Sequence, residues 1–110
     1  MIDWQRVNTL RAEIGEEDFE EVVPLFLEEV SEITDQLGAH IDLDQLEANL
    51  HCLKGSAVNL GFADFSALCH DGEAMAAAGN AASVDVVEIL KCFDASKVAF
   101  MAGLSQGQAA

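Results

Sequence analysis

Apolar residues recur every three or four positions through most of this chain, the spacing that lines one face of an α-helix. Trp4, Val7, Leu10 and Ile14 form the first such series, with Asp3 placed to cap it and Gly15 to end it. A longer series, from Glu16 to His40, carries Phe19, Val22, Val23, Phe26, Val30, Ile33 and Leu37 on one side. Pro24 lies inside it and lacks a backbone donor, so a kink or a restart of the helix is expected there. A third helix is expected to begin at a cap, Asp44 (with Glu47 three residues on) or equally Asp42, and to run to Asn59 before Gly61. The fourth, Ala63 to Ala78, would turn Phe65, Leu68, Gly72 and Met75 inward, and Ala78-Gly79-Asn80 forms the next turn. The fifth, Ser83 to Leu104, carries Val86, Ile89, Leu90, Phe93, Phe100 and Leu104, followed by a frayed tail over 105–110.

This pattern predicts an all-α protein, an antiparallel four-helix bundle running up-down-up-down with a short additional N-terminal helix. A chain of 110 residues fits one domain, expected over 1–104, and leaves no room for a separate nucleotide-binding catalytic domain. Composition agrees: 51% of residues are hydrophobic, with one proline and no tyrosine.

Charge narrows the partners. A formal net charge of −15, from 20 acids against five Lys and Arg, argues against nucleic acid and anionic membranes and leaves a protein partner. The acidic run Glu16, Glu17, Asp18, Glu20 and Glu21 reads as a solvated face that complements a helix N-terminus. No apolar run approaches the roughly 20 residues that span a bilayer, and the acidic start is unlike a signal peptide. Cys52, Cys69 and Cys92 are odd in number and lie in helical patterns, so three thiols in the cytoplasm are expected rather than a disulfide framework.

The segment His51-Cys52-Leu53-Lys54-Gly55-Ser56-Ala57-Val58-Asn59-Leu60-Gly61 carries the candidate chemistry. Leu46, Leu50, Leu53, Ala57 and Leu60 define the buried stripe of the third helix. At about 100° per residue, His51 then lies roughly 140° from that stripe and Gly55 about 180°. A histidine among apolar residues is commonly a satisfied core residue, but this geometry turns His51 outward. Around it Ala48, Gly55 and Val58 are small or apolar, and no acid occurs from Ala48 to Ala63. Such a flat, uncharged face suits a partner that must reach an imidazole.

Histidine, with an unperturbed pKa near about 6.5, can use a ring nitrogen as a nucleophile at neutral pH. Phosphoryl oxygens on the product would be repelled by a neighbouring carboxylate and attracted by Lys54, one turn away and the only cation in this region. Ser56, on the flank, is expected to pack. A zinc site from His51-Cys52 and Cys69-His70 is disfavoured, because adjacent helical residues diverge by about 100°. Cys52 and Cys69 read instead as half-buried small hydrophobes, His40 and His70 as surface or boundary histidines, and Met75 and Met101 as core filler.

These residues resemble the signature H-x-L-K-G-[SA]-[SA]-x-x-L-G of histidine phosphotransfer (HPt) domains of two-component phosphorelays. The resemblance implies a helical bundle spanning nearly the whole chain, with His51 phosphorylated and Lys54 stabilising the phosphate. It makes Gly55 the clearance for a receiver domain, with Ala48, Cys52, Val58 and Asn59 completing the docking face. Asn59 or Ser56 would assist the phosphate, since no second basic residue adjoins His51. The implied partners are response regulator receiver domains and a histidine kinase, hybrid or not. The chain itself would be a monomeric phosphoryl carrier with no cofactor, any Mg²⁺ belonging to the receiver. It contains no G-x-x-x-x-G-K-[ST] loop or kinase-type glycine loop. A helical adaptor that docks on a kinase or receiver without carrying phosphate is the alternative, and it would not need His51 and Lys54 one turn apart beside Gly55.

Overall fold

The computed structural model describes residues 1–105, and these form an all-helical bundle. Five α-helices follow one another: α1 (Trp4–Ile14), α2 (Glu16–Ala39), α3 (Leu43–Leu60), α4 (Ala63–Ala77) and α5 (Val86–Ser105). A single turn of 3₁₀-helix, Ala81–Ser83, lies between the last two. The fifth helix therefore begins later than its apolar pattern suggests, because Asp85 caps it through the amide of Glu88 at 3.0 Å. Ser105 still belongs to α5, and the rest of the expected tail lies outside the described residues. Among the described residues no helix is long and apolar enough to cross a membrane.

Local signals set most boundaries. The Asp3 carboxylate accepts from the Arg6 amide at 3.1 Å and starts α1, while Gly15 adopts φ +88° and separates it from α2. Glu16, Glu17 and Asp18 then occupy the first turn of α2, where the exposed amides favour negative charge. Pro24 does not restart that helix, which runs unbroken for 24 residues. The ring lies on the exposed side, where water can replace the missing amide. Of the two candidate caps for α3 it is Asp42 that serves, accepting from the Asp44 amide at 3.0 Å. Gly61, with φ +74°, closes α3 in the left-handed conformation.

Helix α3 is the centre of the packing, touching α1, α2, α4 and the 3₁₀ turn, while α5 packs on α4 and α2. Its expected stripe is the observed core: Leu46, Leu50 and Leu53 are 0% exposed, and Ala57 and Leu60 are 1% exposed. At the end of the bundle that holds Gly61, aromatic rings join the elements. Trp4 stacks on Phe100 with centroids 5.8 Å apart, Phe100 meets the edge of Phe62 at 5.3 Å, and Phe93 contacts both Phe62 and Phe65. The same corner is tied by the backbone, since Ile2 bridges Phe62 and the Asp3 amide donates to the Gly61 carbonyl at 2.6 Å.

Two expectations about methionine fail. Met75 and Met101 are not core filler but are 37% and 47% exposed. Met75 stands in the last turn of α4 beside the groove made by Val84 and Ile89. Phe100 takes the inward position next to Met101, which is left lining a groove with Phe19 and Pro24.

Two buried helical glycines are there for packing. A Cβ on Gly72 would approach Leu50 Cδ1 to 2.9 Å, and one on Gly103 would overlap the Trp4 indole at Cζ2 and Cη2. A rigid indole stacked on Phe100 cannot yield as a flexible side chain does. Gly103→Ala is therefore expected to lower stability by about 1–3 kcal/mol through overpacking, despite the gain in helix propensity. Thermal unfolding checks this; an unchanged or raised midpoint would contradict the packing.

Candidate functional site

Outward positions of α3 are found where the stripe places them. The His51 side chain is 70% exposed. Ala48, Cys52, Gly55 and Val58 are all exposed, Val58 at 53%. At about 100° per residue, Ala48, Gly55 and Val58 fall within roughly 60° of His51 around the helix. Nothing lies within 4 Å of a Cβ built on Gly55, in contrast to Gly72 and Gly103. The bare position next to His51 is thus empty on the solvent side, and no internal neighbour explains it.

Cysteine placement differs from the expectation of two half-buried thiols. Cys52 is exposed, about 100° round α3 from His51. Cys69 is 0% exposed, and burial, reinforced by Cys92 and Glu73, pushes its thiol up to about 12. It is held as an inert thiol. His40 and His70 are exposed, as expected of surface histidines. Among the described residues no group of three or more His, Cys, Asp or Glu side chains is arranged to hold a metal ion.

The stretch from Ala48 to Ala63 contains no acid, yet the site does contain one. Glu73, from α4, reaches His51 Nδ1 with Oε2 at 2.8 Å and Lys54 Nζ with Oε1 at 2.7 Å. Its side chain is 19% exposed and that of Lys54 27%, so both lie in the seam between α3 and α4 while the imidazole stands above it. The Lys54 ammonium, and then His51, hold the Glu73 carboxyl below the usual carboxylate range against the opposing effect of desolvation. An ionised carboxylate only accepts hydrogen bonds, so a neutral His51 must carry its proton on Nδ1. The free lone pair is then on Nε2. The expectation of a carboxylate-free site is corrected accordingly: the acid is absent from α3 and supplied by its neighbour.

Why sequence reasoning missed Glu73 is a matter of register. The α3–α4 hairpin turns at Gly61 and Phe62, and His51 and Glu73 stand at equal separations on either side of Phe62. Folding the two helical patterns back on each other about that turn would have placed the two residues opposite. Nothing in the local composition around Glu73 marks it.

A second cation also enters from another helix. Arg6 on α1 donates from Nη2 to Asn59 Oδ1 at 3.3 Å, so the face that begins at Ala48 ends against a guanidinium. Asn59 is therefore engaged with α1, and Ser56 is 9% exposed and packed, so neither is paired with His51. Beside Val58 a groove of about 220 Å³ opens between α1 and the α3–α4 turn, lined by Asp3, Arg6, Val58, Phe62 and Ser66.

The sequence model of the family described as Hpt domain matches residues 21–99, more than half of the chain. No curated protein and no solved structure gives a match.

Proposed function

Because this chain belongs to the Hpt domain family of two-component phosphorelay proteins, we propose that His51 receives a phosphoryl group from the aspartate of a receiver domain or hybrid kinase and passes it to another receiver. One observation carries this reading: an imidazole 70% exposed, with Nδ1 held by a carboxylate and Nε2 left free, beside a glycine with open space above it.

In the forward step the Nε2 lone pair forms a bond to phosphorus. The P–O bond of the aspartyl phosphate breaks, and its electron pair leaves with the receiver carboxylate. The proton stays on Nδ1, where Glu73 accepts it as a hydrogen bond and offsets the positive charge that the ring acquires. Donation to the next receiver is the reverse. The transition state is loose, so alignment and charge neutralisation matter more than covalent help, and Glu73 fixes the ring in line. Lys54 meets the phosphoryl oxygens. Gly55, Ala48, Cys52, Val58 and Asn59 form the docking face. On this reading α2 to α5 are the four antiparallel helices of the bundle and the domain spans 1–104. The protein works as a cytoplasmic monomer, and Mg²⁺ and most catalytic groups belong to the receiver.

A phosphoryl carrier also accounts for features that an adaptor leaves idle, because pure docking uses neither an oriented imidazole nor a lysine beside it. Incubation with receiver domains carrying radiolabelled phosphate tests the proposal. The protein should acquire acid-labile label; none from any receiver of the source cell would overturn it.

A further inference from the structure

In the unphosphorylated protein Lys54 is already occupied. Its Nζ sits 2.7 Å from Glu73 Oε1, and the other oxygen of the same carboxylate holds His51 Nδ1 at 2.8 Å. A phosphoryl group on Nε2 would bring two negative charges close to that carboxylate and would have to draw Lys54 away from it. Glu73 is largely covered by the α3–α4 seam, so solvent screens this competition less than it would a surface pair. The Lys54 ammonium that would oppose the phosphoryl charge also favours the ionised form of Glu73, so protonation does not readily relieve the conflict.

We infer that Glu73 keeps the phosphoryl group on His51 labile by competing with it for Lys54, which makes the phosphorylated protein a ready donor rather than a store. The inference rests on the carrier reading above and adds to it the state in which the group is held. Glu73 acts in the same sense through the ring: by retaining the proton on Nδ1 it lets the P–N bond break with neutral imidazole as the leaving group. In hydrolysis, water bonds to phosphorus, the P–N pair returns to Nε2, and phosphate departs as H₂PO₄⁻.

Replacing the carboxylate by a carboxamide separates the two partners. In Glu73→Gln the amide oxygen can still accept from Nδ1–H, whereas the NH₂ group cannot pair with an ammonium, so Lys54 is released toward the phosphoryl oxygens. The full chain is loaded with phosphoramidate, whose P–N bond breaks to release ammonia as the bond to Nε2 forms. The donor is then removed, and loss of phosphohistidine is followed by ³¹P NMR at pH 8. Glu73→Gln should lengthen the half-life about threefold to tenfold over wild type, and Lys54→Met combined with Glu73→Gln should return it toward the wild-type value. Unfolding would also part Glu73 from His51, so circular dichroism must show each variant folded under the conditions in which its half-life is measured.

If wild type loads but Glu73→Gln shows an equal or shorter half-life, this inference is overturned and the carrier reading stands. Full lengthening retained in the double variant overturns it as well, because Lys54 would not be the route. Should Glu73→Gln fail to load, Glu73→Ala is read by the same criterion, and failure of both while folded also overturns it. A wild type that never loads overturns the carrier reading, and this inference with it.

Discussion

His51→Gln is expected to abolish phosphoryl acceptance, with a loss of at least about 10³-fold, in the range seen when a nucleophile is removed. A carboxamide has no ring nitrogen to attack phosphorus, and nothing nearby substitutes for it. Cys52 lies about 100° round the helix and Lys54 is held by Glu73. The substitution should leave the fold intact, because the side chain is 70% exposed and contributes nothing to the leucine stripe of α3. Acid-labile label measured beside a thermal unfolding curve separates the two effects. Label in His51→Gln equal to wild type would remove His51 from the mechanism.

Gly55→Leu should likewise spare the fold, while slowing transfer less steeply than loss of the nucleophile does. Open space around the missing Cβ, on the exposed side of α3, lets a side chain begin there without a clash and extend toward solvent, and replacing glycine inside a helix gains about 1 kcal/mol. The midpoint of unfolding should therefore stay level or rise. Transfer between two proteins, however, needs the receiver aspartate in line with Nε2. A leucine standing about 40° round the helix from His51 would hold the partner away. A displacement of about 1 Å can reduce rate by about 10²-fold, and a loss of that order is expected for transfer from a phosphorylated receiver. Loading from phosphoramidate, which needs no docked partner, should be nearly unchanged. Receiver transfer at the wild-type rate would leave the bare glycine without a functional account. Together with Gly103→Ala, this sets two bare helical glycines against each other, one kept clear for an internal indole and one, on the proposed function, for an external protein.

What periodicity can reveal is the face of a single helix, and α3 shows how far that reaches. Five apolar positions located the buried line, and from it the outward placement of His51, Gly55 and Val58 followed. Caps were legible for the same reason, since Asp3, Gly15 and Gly61 act through neighbours within a few residues, although the pattern left the α3 cap open between Asp42 and Asp44. Contacts between helices were not. Glu73 and Arg6 reach α3 from other elements, and their approach depends on the register of packed helices, which a pattern read along one helix does not contain. Met75 and Met101 failed in a similar way: each satisfied the period of its own helix, but no facing element covered it. The helix runs through Pro24 without the restart offered as one alternative, because the period does not tell whether a lost amide bond falls on the wet side.

The corner where the first residues meet the α3–α4 turn also bears on the order in which the molecule assembles. Ile2 pairs with Phe62, and Trp4 stacks on Phe100 at the far end of the chain, whereas α3 and α4 close on each other through a two-residue turn. Closing a short loop loses less chain entropy than closing a long one, so the α3–α4 hairpin is placed early and the docking of α1 late. Contacts made after the folding barrier slow unfolding without speeding folding. Trp4→Ala should then raise the unfolding rate and leave the refolding rate nearly unchanged in stopped-flow measurements. Helix α1 would act as a latch on the bundle, fastened last, and as the part whose release first frees Arg6 from Asn59 at the end of the proposed docking face.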